Sequence, residues 1–163
     1  MNHKFFQRTS AFSLVEVAVA VGIAGFCLMA IFGLLPVALK SNQSAVEQTS
    51  ANAIIATVVS DLRATPPTSP PGTAATSSLY SISIPASNSP ATQTLYFDSD
   101  RKQVASANLG RYRTTLNFLA APAGSGVRSA TGINIKVSWP PAIDPSTGNP
   151  NGFVQAFAAL DRN

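Results

Sequence analysis

Glu16 is the residue in this chain whose chemistry most needs a partner. It is a lone carboxylate at the N-terminal edge of residues 17–39, a run of 23 residues without a charge. At the centre of a bilayer an acid costs about 2.5 to 3.5 kcal/mol on insertion scales. Glu16 therefore calls for a cation or for a position at the membrane interface. Other chemistry-bearing types are sparse. His3 is the only histidine and sits in the basic, polar stretch 1–11, so the rest of the chain has no imidazole base, triad member or ligand. Cys27 is the only cysteine and lies inside the apolar run, which excludes an intrachain disulfide and a thiol-rich metal cluster. Serines are plentiful but form no nucleophile elbow, and no glycine loop of the phosphate-binding kind occurs. Asp98, Ser99 and Asp100 could offer oxygens to Ca²⁺, yet they lack the acidic spacing and closing glutamate of a dedicated loop. A solvated turn is the better account of them. The expectation is a protein with no catalytic residues, no bound metal and no cofactor.

The elements that position Glu16 follow from hydropathy. As a helix, 23 residues cover roughly 35 Å, enough for a hydrocarbon layer of roughly 30 Å. A secretory signal has a shorter apolar region, about 7 to 15 residues, closed by a cleavage site. Here Leu34, Leu35, Pro36, Val37 and Ala38 lead straight into Leu39, Lys40 and a polar helix, so the apolar segment is expected to stay attached. Lys4 and Arg8 on one flank, against Lys40 and then Glu47 on the other, put the N-terminus in the cytoplasm and the rest outside. Small residues at helical spacing, Ala18 with Gly22 and Ala20 with Ala24, suit close approach of another helix; as plain composition of an anchor they need no such explanation. Pro36 is expected to break or kink the helix locally. Residues 41–63 contain no glycine or proline, and Val46, Ile55, Val58, Val59 and Leu62 recur at helical spacing among Glu47, Gln48, Asn52, Ser60 and Asp61. That pattern predicts an amphipathic continuation over 40–64 that lays one side on a folded domain.

About 100 residues remain beyond Arg63, enough for a small core. Residues 65–72, Thr-Pro-Pro-Thr-Ser-Pro-Pro-Gly, end the helix and read as an extended connector. Strands are predicted at 79–84, 93–97, 102–105, 111–119 and 133–139, with a hairpin turn at Asp98-Ser99-Asp100-Arg101. Tyr112, Thr114, Leu116 and Phe118 share one face of their strand, and Ile133, Ile135, Val137 and Trp139 share one face of theirs, with Lys136 opposite. A Gly/Ala/Ser-rich loop is placed up to Gly132, another loop over 140–152, and 153–160 is open between a strand and a short helix. The composite is an α+β fold, a long N-terminal helix on a small antiparallel sheet. The formal net charge is +4, but without Lys4 and Arg8 nine basic residues face seven acidic ones. Arg101, Lys102, Arg111, Arg113 and Lys136 are dispersed and are taken as a solvated face, which makes nucleic acid an unlikely partner.

The stretch Ser10-Ala11-Phe12-Ser13-Leu14-Val15-Glu16-Val17, with the basic leader before it and the glycine-bearing apolar run after it, resembles the class III signal of type IV prepilins and pseudopilins. The whole layout, helix through Arg63 and a strand ending Val137-Ser138-Trp139-Pro140, is similar to that of PilV-like minor pilins and closest to the Verru_Chthon cassette protein B family. The resemblance implies a type IV pilin-like fold. It also implies a leader of residues 1–11, a prepilin peptidase cut between Ala11 and Phe12, and N-methylation of Phe12. A glycine usually precedes the cut in such proteins; Ala11 is larger by one methyl group. The C-terminal cysteine pair of many major pilins is absent, and their early proline is represented only by Pro36, so a minor subunit fits better.

The implied domains are the leader 1–11, a transmembrane and assembly helix 12–39, the amphipathic continuation 40–64, and a β-rich extracytoplasmic domain 65–163. The implied assembly residues are Phe12 and Glu16: the freed amine of Phe12 can pair with the Glu16 carboxylate of a neighbouring subunit and set the axial step. Partners would be the prepilin peptidase, other pilin-like subunits, the inner-membrane assembly platform and the lipid bilayer. Expected destinations are the inner membrane, crossed once, and then a pilus or a type II secretion pseudopilus. Two other roles stay open, a stationary membrane-anchored binding module and a major filament subunit.

Overall fold

The computed structural model describes residues 12–70, 72–86, 89–120 and 130–161; the stretch 1–11 expected to be a leader, Ala11 included, and most of the loop placed before Gly132, lie outside the described residues. The chain divides into a unit up to Ser44 and a second, Ala45–Asn163. One helix, α1 (Leu14–Ala64), contributes to both. Its 51 residues run through Pro36 without a break, so of the expected break or kink the break does not occur. Proline removes a single backbone hydrogen bond, and the good helix formers on either side carry the spiral across that gap.

In the second unit α1 buries Ala51, Ile54, Ile55, Val58 and Leu62, an i, i+3, i+4 stripe that meets the sheet. Val46 does not belong to this stripe: it is 57% exposed, because the packed face starts a turn later, at Ala51. The helix stops at Ala64, where Thr65 Oγ1 donates to the Asp61 carbonyl at 3.1 Å and Pro66 and Pro67 bring no N–H of their own.

Asp61 departs from the expected solvent-facing role. It is buried on the core side of α1 next to Leu62, and its two carboxylate oxygens accept the backbone N–H groups of Leu79 (3.0 Å) and Tyr80 (3.2 Å). This ties down a turn within 79–84, the stretch expected to be a strand. That strand is much shorter: β2 (Ser83–Ile84) pairs with β1 (Ala75–Thr76), a strand the sequence did not disclose. Ser81 has a φ of 52°, and Ser77 Oγ accepts the Ile82 N–H at 3.0 Å, so the segment turns before it pairs. Ile82 and Ile84 still reach the core.

The main sheet has five antiparallel strands in the order β4-β3-β5-β6-β7: β3 (Ala91–Phe97), β4 (Gln103–Val104), β5 (Tyr112–Phe118), β6 (Thr131–Trp139) and β7 (Gly152–Leu160). Residues 153–160 are thus strand, paired in full with β6, and Gly132 belongs to β6 and not to the preceding loop. The turn at 98–101 forms as expected. Asp98 Oδ1 accepts the N–H groups of Asp100 and Lys102, and Arg101 has a φ of 64°.

Leu95, Phe97, Tyr112, Leu116, Phe118, Ile133, Ile135, Val137, Ala158 and Leu160 fill the inner face against α1. Each fully buried aliphatic or aromatic side chain of this kind contributes about 1.5 to 3 kcal/mol. Tyr112 meets Trp139 edge-on at 6.2 Å, and the Trp139 indole lies over its register partner Gly152. A Cβ on Gly152 would come within 2.4 Å of Trp139 Cζ2, so only glycine lets the indole lie there.

The cations are not all free on a solvated face. Arg111 pairs with Glu47 of α1 at 2.7 Å, and Arg113 pairs with Asp144.

Replacing Asp61 by Ala leaves two N–H groups without their charged acceptor. It is expected to lower stability by about 2 to 3 kcal/mol, read from urea unfolding of the detergent-solubilised chain. A loss below about 0.5 kcal/mol would contradict the anchoring role.

Candidate functional site

Two surfaces carry the candidate functional residues. The first is the N-terminal half of α1. Ser13 precedes the helix and its carbonyl accepts the Val17 N–H at 3.1 Å, which places Glu16 in the first turn. Four backbone N–H groups there lack helical partners, and the positive end of the helix dipole favours a carboxylate by about 0.3 to 1 kcal/mol. This local support is smaller than the cost of an acid in hydrocarbon, about 2.5 to 3.5 kcal/mol. A further cation is still required if the residue enters a membrane.

Phe12, one turn earlier, is exposed, as is every residue from there to Val46. Gly22, Gly25 and Gly33 have no atom within 4 Å of where a Cβ would stand, so the small-residue face is open. α1 is long and apolar enough to cross a membrane. Ala11, the other half of the expected cleavage site, lies outside the described residues.

The second surface is the outer face of the five-stranded sheet, where Arg113 and Lys136 were expected only as part of a solvated face. Register lays its side chains in cross-strand rows. Thr94, Thr115, Lys136 and Gln155 form one row; Thr92, Asn117, Asn134 and Phe157 form the next; Tyr96, Arg113, Ser138 and Phe153 form a third. The loop after β6 folds back over this face, bringing Asp144 to Arg113. Asp144 Oδ1 also accepts the N–H (2.9 Å) and the hydroxyl (2.7 Å) of Ser146. These two bonds, with the Arg113 charge behind them, hold the Asp144 carboxyl below its ordinary value. Lys136 Nζ sits 4.5 Å from the centre of the Phe153 ring.

Alternation along 111–119 could have revealed Arg113, Thr115 and Asn117 as a shared polar face, but the return of Asp144 had no local signal. Among the described residues no group of three or more His, Cys, Asp or Glu could hold a metal ion.

No family model matches the chain, and no curated protein or solved structure matches it either. The architecture, one long apolar N-terminal helix with a small β-sheet packed on its later part, is consistent with a type IV pilin-like fold in general. It is compatible with a membrane-anchored subunit carrying an extracytoplasmic β-domain.

Because the folded Asp144 pKa is lowered, its ionised form stabilises the native state fully above the unfolded value, about 3.9. That contribution is lost as pH falls through the folded value. NMR titration should place the Asp144 midpoint below the ordinary value and find it raised in Ser146→Ala. An unchanged midpoint in the variant would show that the Ser146 hydroxyl does not set it.

Proposed function

We propose that the chain is a minor pilin or pseudopilin, inserted in the inner membrane with its N-terminus in the cytoplasm and its β-domain outside. On this reading the prepilin peptidase removes residues 1–11 and methylates Phe12, leaving 12–39 as the assembly helix, 40–64 as its amphipathic continuation and 65–163 as the exported domain. The observation that carries it is the exposed apolar half-helix with one carboxylate, Glu16, in its first turn. In a bundle of such helices the Glu16 carboxylate of one subunit pairs with the Phe12 amine of the next. This pairing sets register more than strength, since two charges leave water to make it. The assembly platform and other pilin-like subunits are the partners that such a helix serves. The single acid and the helix that holds it support this role over that of an enzyme.

The polar outer face of the sheet favours a second reading, a stationary anchored binding module, in which no leader is removed.

Mass spectrometry of the membrane-extracted chain separates the two. A chain starting at methylated Phe12 is the expected result, and one still starting at Met1 decides for the stationary module. Glu16→Ala is expected to insert in the membrane normally while its co-purification with pilin-like partners falls about tenfold, the loss of about 1.4 kcal/mol. Recovery of partners at wild-type yield would remove Glu16 from assembly.

A further inference from the structure

We propose that the open edge of β7 is a docking site for an uncharged β-strand of another polypeptide, added alongside β7 to extend the five-stranded sheet. β7 (Gly152–Leu160) ends the strand order and pairs along its whole length with β6. On its other side no backbone hydrogen bond reaches it among the described residues. Every second residue of such a strand turns both its N–H and its C=O outward, and another extended segment is what completes that row.

Three observations point to an occupant. Edge strands are ordinarily blunted by shortness, charge or proline. At the opposite edge β4 is only two residues long and follows Arg101 and Lys102, and the stretch of β3 beyond it is approached by β2, whose Ser83 N–H is accepted by the Gln93 side chain at 3.0 Å. β7 has nine residues, none of them charged and none a proline. The inner face is also incompletely covered at this strand: Ala158 and Leu160 are buried, while Val154 and Ala156, packed against the same core, are half-buried. One more strand would cover them. On the outer face, Phe153 and Phe157 are 54% and 67% exposed, apolar surface that a cross-strand neighbour would shield.

The edge itself states the chemistry of its occupant. Backbone hydrogen bonds call for an extended segment, and the side chains alternating along it decide which segment binds. Those turned toward α1 must be small and aliphatic, to lie beside Val154 and Ala156; those turned outward must be apolar or aromatic, to lie beside Phe153 and Phe157. β7 offers no charge to a charged partner. A second copy of β7 has the right side chains, since antiparallel pairing centred on Gln155 sets Phe153 opposite Phe157. The two-fold axis of that pairing stands perpendicular to the sheet, however, and would run the two packed α1 segments in opposite directions. Two helices that lead to one membrane cannot do so, which leaves a strand of a different protein. That exclusion rests on α1 being a membrane anchor; the docking edge does not.

The test uses the full chain in detergent, titrated with a peptide of the Gly152–Leu160 sequence that carries a polyethylene glycol tail for solubility. This peptide has the required alternation and, without an anchor, is free to pair in either direction. The expected result is saturable binding, at least about tenfold tighter than that of the same peptide with proline in place of its glutamine. Hydrogen exchange should slow at alternate amides of β7, which contact through side chains alone would not cause. Phe157→Lys puts a charge on the edge and should weaken binding about tenfold; if that variant loses its fold, the proline peptide and the exchange pattern still decide. The proposal is overturned by an absence of saturable binding, by equal binding of the proline peptide, by unchanged exchange in β7, or by wild-type affinity in folded Phe157→Lys. It is equally overturned if the full chain alone dimerises through this edge, read as a disulfide formed by Gln155→Cys in a Cys27→Ser background.

Discussion

A single helix in this protein changes character along its length, from an exposed apolar half to a half that packs on a sheet. Residues 17–39 include twelve Leu, Ile, Val or Phe side chains, all exposed. At about −0.3 to −0.6 kcal/mol each on insertion scales they favour a bilayer by roughly 4 to 7 kcal/mol, which exceeds the cost of one acid. Glu16 can therefore be carried into a membrane without tipping the balance, provided that it stays near the interface or finds a cation. From Ala51 onward the same helix becomes the central element of a water-facing domain, with a stripe of aliphatic residues matched to the inner face of the sheet.

That domain is small and has no disulfide available to it, since Cys27 is the chain's only cysteine and lies in the apolar run. Its cohesion comes from packing and from a few polar ties with defined geometry. Asp61 uses both carboxylate oxygens to fix the turn at Leu79 and Tyr80, which brings Ile82 and Ile84 to the core. Glu47 and Arg111 join the start of the packed helical segment to β5. Trp139 closes over Gly152 and replaces the side chain that glycine lacks at the mouth of β6 and β7. The inner and outer faces of the sheet then do different work. One is apolar and spent on α1, while the other is threonine-rich and open to solvent.

Much of this architecture is legible from residue order. Period-two alternation at Tyr112, Thr114, Leu116 and Phe118, and at Ile133, Ile135, Val137 and Trp139, marks strands whose buried faces are as expected. The absence of glycine and proline after Pro36 marks the helix up to the proline pairs that end it. What escaped the sequence depends on contacts between distant positions. Asp61 looks like any helix-surface acid until the segment 18 residues later presents its N–H groups. Arg113 looks solvated until a loop 31 residues away returns to it. Helix continuity across Pro36 is set by the residues on both sides, which a local propensity does not report. Of the residues expected to serve assembly, Glu16 was readable as the acid at the start of the apolar helix, while the support given by the helix dipole follows only from where the helix starts.

Cys27 is a natural probe of the account, being exposed on the isolated chain at the middle of the apolar run. On intact membranes, labelling with a membrane-impermeant maleimide should leave Cys27 unmodified, and the same reagent should modify it fully once the chain is denatured. Rapid modification of Cys27 on intact membranes would show that water reaches this face of the helix and would contradict a membrane-embedded assembly segment.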